Sequence, residues 1–211
     1  MFDLDGVLID SEQVWDAVRR DVVAAAGGRW EPDSTERMQG MSTVEWSAYL
    51  GSLGVPGPPS DVATQVIDAM ANRYGTSPPL LPGAVEAVRA IAAVLPAGLA
   101  SSSPRRLIDI VLTATGLTRA FAVTMSTEEV AHGKPSPDVY LAVAARLGVA
   151  PIECVAVEDS SNGLRSAAAA GMRVVAVPNP HYPPAADALA LASIVVPDVR
   201  DVTPDLIAAL P

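Results

Sequence analysis

The side chains that could do chemistry in this 211-residue chain are acids, serines and one lysine, placed where apolar runs stop. The opening stretch, Met1 to Ser11, alternates Phe2 and Leu4 with Asp3 and Asp5, then Gly6 interrupts and Val7-Leu8-Ile9 follow. Ionised carboxylates at the end of a buried strand are costly unless a cation or hydrogen bonds compensate them. The ends of parallel strands in open α/β sheets are also where ligands sit. Asp3 and Asp5 therefore read as a metal-supported acid pair at a strand's carboxyl end, with a plain strand-end turn as the alternative.

Three further places match this one. Ser101, Ser102 and Ser103 follow an apolar run and lead into a helix start. Lys134 lies in the loop His132-Gly133-Lys134-Pro135, and Glu158-Asp159 follow a second apolar run ahead of Ser160, Ser161, Asn162 and Gly163. Carboxylates in that number, without His or Cys clusters, select a hard cation such as Mg²⁺. Hydroxyls and amides at a helix N-terminus suit a phosphate, and Lys134 adds a point charge. A metal and a lysine flanking a phosphate let an anionic nucleophile approach. An Asp carboxylate can take a phosphoryl group, and a second Asp can protonate the leaving oxygen and then activate water. Each residue also has a structural reading. Ser103-Pro104 is the grammar of an N-cap followed by Pro at the first helical position. Glu158 and Asp159 suit the dipole of the helix that follows, Lys134 out of its context is a surface residue, and His132 and His181 are loop residues.

The elements that must position these residues follow from periodicity and punctuation. Glu12 to Ala26 predicts a helix ended by Gly27-Gly28, and Ser42 and Glu45 have capping-box spacing before Trp46, Tyr49, Leu50 and Leu53. Ser60 is expected to cap a third helix, and Thr76 to Pro79 reads as a linker. Trp15, Trp30 and Trp46 all precede that linker and are expected to form the core of a small helical unit. Beyond it helix and strand alternate: a helix opened by Pro82-Gly83, strand 97–101, a helix capped by Ser103, strand 121–124, a helix capped by Ser136, strand 154–157, helix 162–170 and strand 173–177. That alternation predicts a doubly wound parallel α/β sheet covered on both faces, with residues 1–13 and 80–211 as a Rossmann-like core and 14–79 as an inserted α-helical cap.

Composition bounds the rest. Half of the residues are apolar, and 14 Lys+Arg against 24 Asp+Glu give a formal charge of −10, which disfavours nonspecific nucleic-acid binding. The single Cys154 excludes an intrachain disulfide and fits a reducing, cytoplasmic setting. No run reaches the length of a membrane span and no signal peptide opens the chain. A monomer suffices, with a dimer left open. The first strand starts at Met1 with almost no lead-in, so a few residues upstream are expected in the native protein.

The four motifs in order resemble those of the haloacid dehalogenase-like superfamily of phosphohydrolases, in the branch with a helical cap inserted after the first motif. The resemblance spans essentially the whole chain. Asp-x-Asp-Gly-Val/Thr stands as Asp3-Leu4-Asp5-Gly6-Val7, the strand-end Ser or Thr as Ser101, Gly-Lys-Pro-x-Pro as Gly133 to Pro137, and the acidic pair as Val157-Glu158-Asp159-Ser160. The resemblance implies Asp3 as nucleophile and Asp5 as general acid/base. It implies Mg²⁺ held by the Asp3 carboxylate, the Asp5 backbone carbonyl and Asp159, with Glu158 as a direct or water-mediated ligand. Ser101, Ser102 and Lys134 would bind the phosphoryl group, Gly6 to Ser11 would form the turn that lets the cap move, and Gln39-Gly40 would lie in a substrate-contacting loop. The activity implied is Mg²⁺-dependent hydrolysis of a small sugar, polyol or short-acid phosphate through an aspartyl-phosphate. A β-phosphoglucomutase-like phosphomutase is the alternative. Such mutases place a His in the first cap helix and basic residues in the cap loop, where this chain has Trp15, and Gln39 with Thr43. The dehalogenase branch lacks the second Asp of the first motif, and a non-catalytic relative would be expected to lose Asp3 or Asp5; both are present.

Overall fold

The structure is a computed structural model and describes residues 1–38, 41 and 43–210. It separates into two compact units, Met1–Asp10 with Pro78–Pro211, and Ser11–Ser77.

The first unit is built on a parallel sheet. Strand β1 (Gly98–Ser101) pairs with β2 (Val123–Ser126), and β3 (Val155–Glu158) pairs with β4 (Arg173–Ala176), which pairs with the short β5 (Ile194–Val195). The N-terminal segment joins the two halves. Phe2 forms parallel bridges to both Leu99 and Val157, and Asp3 N–H donates to the Val157 carbonyl at 3.0 Å. The spatial order is therefore β2, β1, the N-terminal segment, β3, β4, β5. One residue beyond Phe2, Asp3 is level with Ala100 on one side and Glu158 on the other.

Burial on both faces explains why these strands read as continuous apolar runs. On one face, Ala100, Met125, Ala156, Val174 and Ala176 pack with Val139, Tyr140 and Val143 of a helix over Asp138–Leu147 and with Leu164 and Ala167 of a helix over Ser161–Ala169. The alternate residues Leu99, Val157 and Val175 point the other way and are equally buried. On that side the Phe2 ring meets Phe121 edge-on at 6.2 Å. Helices over Ala84–Ala92 and Arg105–Ala114 bury Val88, Ile91, Leu107, Ile108 and Val111.

The second unit is helical: Glu12–Ala25, Ser34–Met38, Thr43–Ser52 and Pro59–Thr76. Its centre is Val18, Val23, Trp46, Leu50, Val62, Val66, Met70 and Tyr74, all buried. Only Trp46 of the three tryptophans is fully buried. Trp15 lies 6.2 Å from it, with the Arg19 guanidinium 5.0 and 5.1 Å from the two rings, and Trp30 is covered by Arg20 at 4.9 Å.

Several sequence expectations are corrected. Ser60 lies inside its helix, whose N-cap is Pro58, and the strand expected at 121–124 runs two residues later. Ser103 and Ser136 are not N-caps; Pro104 and Pro137 hold those positions, because each serine hydroxyl has a carboxylate partner instead. The expected cap Ser42 and the candidate substrate residues Gln39 and Gly40 lie outside the described residues. Among the described residues no helix is long and apolar enough to cross a membrane.

Candidate active site

Parallel register gathers the chemistry at one end of the sheet. Ser101 and Ser126 end β1 and β2 opposite each other, Glu158 ends β3, and Asp3 stands between. Lys134 enters from the loop after β2, across a cis Lys134–Pro135 bond. Its Nζ donates to Asp3 Oδ1 at 2.7 Å, to Glu158 Oε1 at 2.6 Å and to the Ala100 carbonyl at 3.0 Å. Three bonds use every proton of the ammonium.

Glu158 is fully buried and both of its oxygens are engaged. Oε1 accepts from Lys134 and from the Tyr140 hydroxyl at 2.7 Å, while Oε2 accepts from Asp159 N–H at 3.2 Å and Ser160 Oγ at 3.3 Å. The Tyr140 ring also lies 5.0 Å from Lys134 Nζ. The sequence reading missed Tyr140. Its signal is faint: one phenol on an otherwise apolar helix face, whose hydroxyl requires a buried partner.

Asp5 follows two residues after Asp3. Its Oδ2 accepts from Ser103 Oγ at 2.6 Å and, at the long limit of 3.5 Å, from Ser101 Oγ. Ser101 is buried, and Ser102 is exposed beside it. Gly6 permits the turn that follows: its φ is +78°, and a Cβ there would stand 1.9 Å from Asp159 Oδ2. The first motif and the last are thus in backbone-to-side-chain contact.

The donor set fits a hard cation. Asp3, Glu158 and Asp159 each offer a carboxylate oxygen within 4.8 Å of the others. Among the described residues Asp159 Oδ1 and Asp5 Oδ1 are buried without a hydrogen-bond partner, and such orphaned acceptors need a proton or an ion. Electrostatics agrees. Burial, reinforced by Glu158 and Asp5 against the pull of Lys134, pushes Asp3 up to about 8. Burial and the charges of Glu158 and Asp3 carry Asp159 well above the usual carboxylate range. Burial alone would lower Lys134, but Asp3 and Glu158 outweigh it and hold the ammonium charged. Burial also raises Tyr140, keeping its phenol a donor. One lysine cannot neutralise this many acids, whereas a divalent ion bound by oxygen can. Glu158, saturated by hydrogen bonds, is better suited to orienting Lys134 and the Asp159 backbone than to direct ligation.

A family model described as haloacid dehalogenase-like hydrolase matches residues 1–171. The chain belongs to that family. Among its relatives, Hexitol phosphatase B of Escherichia coli (strain K12) is 41% identical over 188 residues, covering 85% of this chain and 83% of the relative. Fructose-1-phosphate phosphatase YqaB of the same organism is 28% identical over 178 residues, 84% of this chain and 94% of its own. Among solved structures, a candidate β-phosphoglucomutase from Thermotoga maritima superimposes with a TM-score of 0.80 at 28% identity, covering 99% of this chain and 98% of that one. The Rossmann-like α/β class expected from the sequence is the class of these family members.

Proposed function

We propose that this family member is a Mg²⁺-dependent phosphatase that hydrolyses the phosphate monoester of a small sugar or polyol. The observation that carries this reading is the buried Lys134 bridge between Asp3 and Glu158, with Asp5 and the orphaned oxygen of Asp159 beside it. The 41% identity to Hexitol phosphatase B and the likeness to a fructose-1-phosphate phosphatase support both the reaction and the substrate class.

Asp3 is the nucleophile. Lys134 fixes its carboxylate and presents a positive charge to the incoming phosphoryl group. The Asp3 oxygen bonds to phosphorus while the bond to the substrate alcohol breaks, and Asp5 gives its proton to the departing oxygen. Asp5 then takes a proton from water as that water attacks phosphorus, and Asp3 is restored as phosphate leaves. Ser101, at the end of β1, and Ser102 place their hydroxyls and amides for the phosphoryl oxygens. The Asp3 and Asp159 carboxylates with the Asp5 backbone carbonyl would hold the Mg²⁺, and Glu158 would orient them. When bound, the ion screens the phosphoryl charge so that a carboxylate can approach. The helical unit is assigned the role of a cap that selects the substrate, with Gln39 and Gly40 as its contacts.

The test is phosphate release from a panel of hexitol, hexose and short-acid phosphates, with Mg²⁺ and with EDTA, on wild type and Asp3→Asn. Metal-dependent release that vanishes in Asp3→Asn is expected. Release that survives in Asp3→Asn would overturn the nucleophile. Absence of release, with conversion of β-glucose 1-phosphate in the presence of a bisphosphate, would favour the mutase instead.

A further inference from the structure

We infer that Ser103 is the positioning residue for Asp5, holding its carboxyl group so that Oδ1 hands the proton to the departing alcohol; the inference rests on the phosphatase reading above. Ser103 is buried, and its Oγ donates to Asp5 Oδ2 at 2.6 Å, far closer than the 3.5 Å of Ser101 Oγ. Asp5 Oδ1 is buried and has no hydrogen-bond partner among the described residues.

Among the described residues the Ser103 hydroxyl bonds only to Asp5. Ser103 stands where an N-cap was expected, but the helix Arg105–Ala114 takes Pro104 as its N-cap, and its first amide, Arg105 N–H, donates to the Glu128 carboxylate at 2.9 Å. Residue 103 is also tied down through both of its backbone polar groups. Its N–H donates to Ser101 Oγ at 3.0 Å, and its carbonyl accepts from Ser126 Oγ at 2.7 Å. Ser101 and Ser126 are the last residues of two paired strands. The sheet itself therefore aims the Ser103 hydroxyl.

A hydroxyl that donates to Oδ2 fixes which oxygen of Asp5 faces the reaction. Oδ2 is engaged as the acceptor of the Ser103 hydroxyl, which leaves Oδ1 as the oxygen free to exchange a proton with the substrate oxygen. The bond to Ser103 persists when the proton has left, and Asp5 keeps its orientation for the return step. In the first step the Asp3 carboxylate bonds to phosphorus, the phosphorus–oxygen bond breaks with its electron pair on the alcohol oxygen, and that oxygen takes the Oδ1 proton. In the second, water adds to phosphorus, Asp5 accepts its proton, and the Asp3–phosphorus bond breaks.

Loss of the Ser103 hydroxyl then harms only departures that need a proton. An alkoxide is too basic to leave unprotonated, whereas p-nitrophenolate leaves without help. The measurement is kcat/KM, which ends with the departure of the alcohol and omits the hydrolysis step common to both substrates. Ser103→Ala and wild type are compared, with Mg²⁺, on the best alkyl phosphate of the panel and on p-nitrophenyl phosphate. The expected loss is roughly ten- to hundredfold for the alkyl ester, a part of what general acid catalysis supplies, and within about threefold for the aryl ester. Ser103→Cys, close in size and a weak donor, is read the same way if the alanine variant does not fold. An equal fall on both substrates, or none on either, overturns the role of Ser103. A wild type that releases phosphate from neither overturns the phosphatase reading itself, a result separate from any behaviour of the variant.

Discussion

Lys134 and Tyr140 both donate to the same oxygen of Glu158, yet their removal has unequal consequences. The Lys134 side chain is 4% exposed and is the cation shared by two buried carboxylates. Without it, the buried charge of Glu158 has no cation beside it, and breaking a buried ion pair from one side costs about 3–5 kcal/mol. Tyr140→Phe deletes one hydrogen bond to a charged group, worth about 1.5–3 kcal/mol, while the ring beside Lys134 remains. Urea denaturation should therefore rank Lys134→Met below Tyr140→Phe, with both below wild type. Equal stability of Tyr140→Phe and wild type would mean that the phenol does not hold Glu158. The same phenol shows a limit of sequence reading: position 140 fits an apolar helix face, and only its contact with Glu158 reveals a polar task.

The helix over Ser161–Ala169 begins against the acidic cluster, and its first turn is shaped by that neighbour. Ser160 is its N-cap, accepting from Gly163 N–H at 3.0 Å. Alanine is favoured over glycine within a helix by about 1 kcal/mol, so propensity alone predicts that Gly163→Ala stabilises. The fold opposes this, since a Cβ at residue 163 would fall 1.9 Å from Glu158 Oε2. Gly163→Ala is expected to destabilise by more than the roughly 1 kcal/mol of losing the Ser160 cap through Ser160→Ala, and to lower activity by displacing Glu158. Thermal melts and turnover of the two variants check this, and a Gly163→Ala protein as stable as wild type would refute it. Elements of this kind were legible where local rules act alone. The apolar runs marked the strands of the core, and Asp3, Ser101 and Glu158 fell beside one another at their ends because parallel strands bury everything else, with Lys134 reaching them from the loop after β2. Local rules failed where a tertiary partner claimed the side chain. Ser103 and Ser136 precede prolines as caps should, yet their hydroxyls serve Asp5 and Asp138. Phe121 begins an apolar run but packs on Phe2 ahead of the strand rather than within it. The four-residue helix Ala186–Leu189 and the two-residue strand Ile194–Val195 are too short to show a period.

Across the whole molecule, acids exceed bases by ten, but the consequential excess is at one end of the sheet, where burial makes charge expensive. Asp3, pushed up to about 8 from 3.8, is protonated at neutral pH until a cation replaces the proton. In the unfolded chain this group ionises near 3.8, so the unfolded state gives up its proton first. The contribution of Asp3 to the metal-free fold is thus complete below that value and is lost as pH rises towards 8. Mg²⁺ bound as in the proposed function would reverse the trend, because its binding would displace the proton. For a single competing proton at about 8, the apparent affinity at pH 6 is roughly 50-fold below that at pH 8. Asp159, also raised by burial, acts in the same direction. Melting curves with and without Mg²⁺ should show a larger stabilisation at pH 8 than at pH 6, and titration calorimetry in buffers of different ionisation enthalpy should show proton release on binding at pH 7. Asp3→Asn, which has no proton to displace, should flatten the pH dependence that residue 3 contributes. An affinity for Mg²⁺ that is the same at pH 6 and pH 8 would mean that Asp3 is ionised before the ion arrives, and that Lys134 alone is enough to hold its charge.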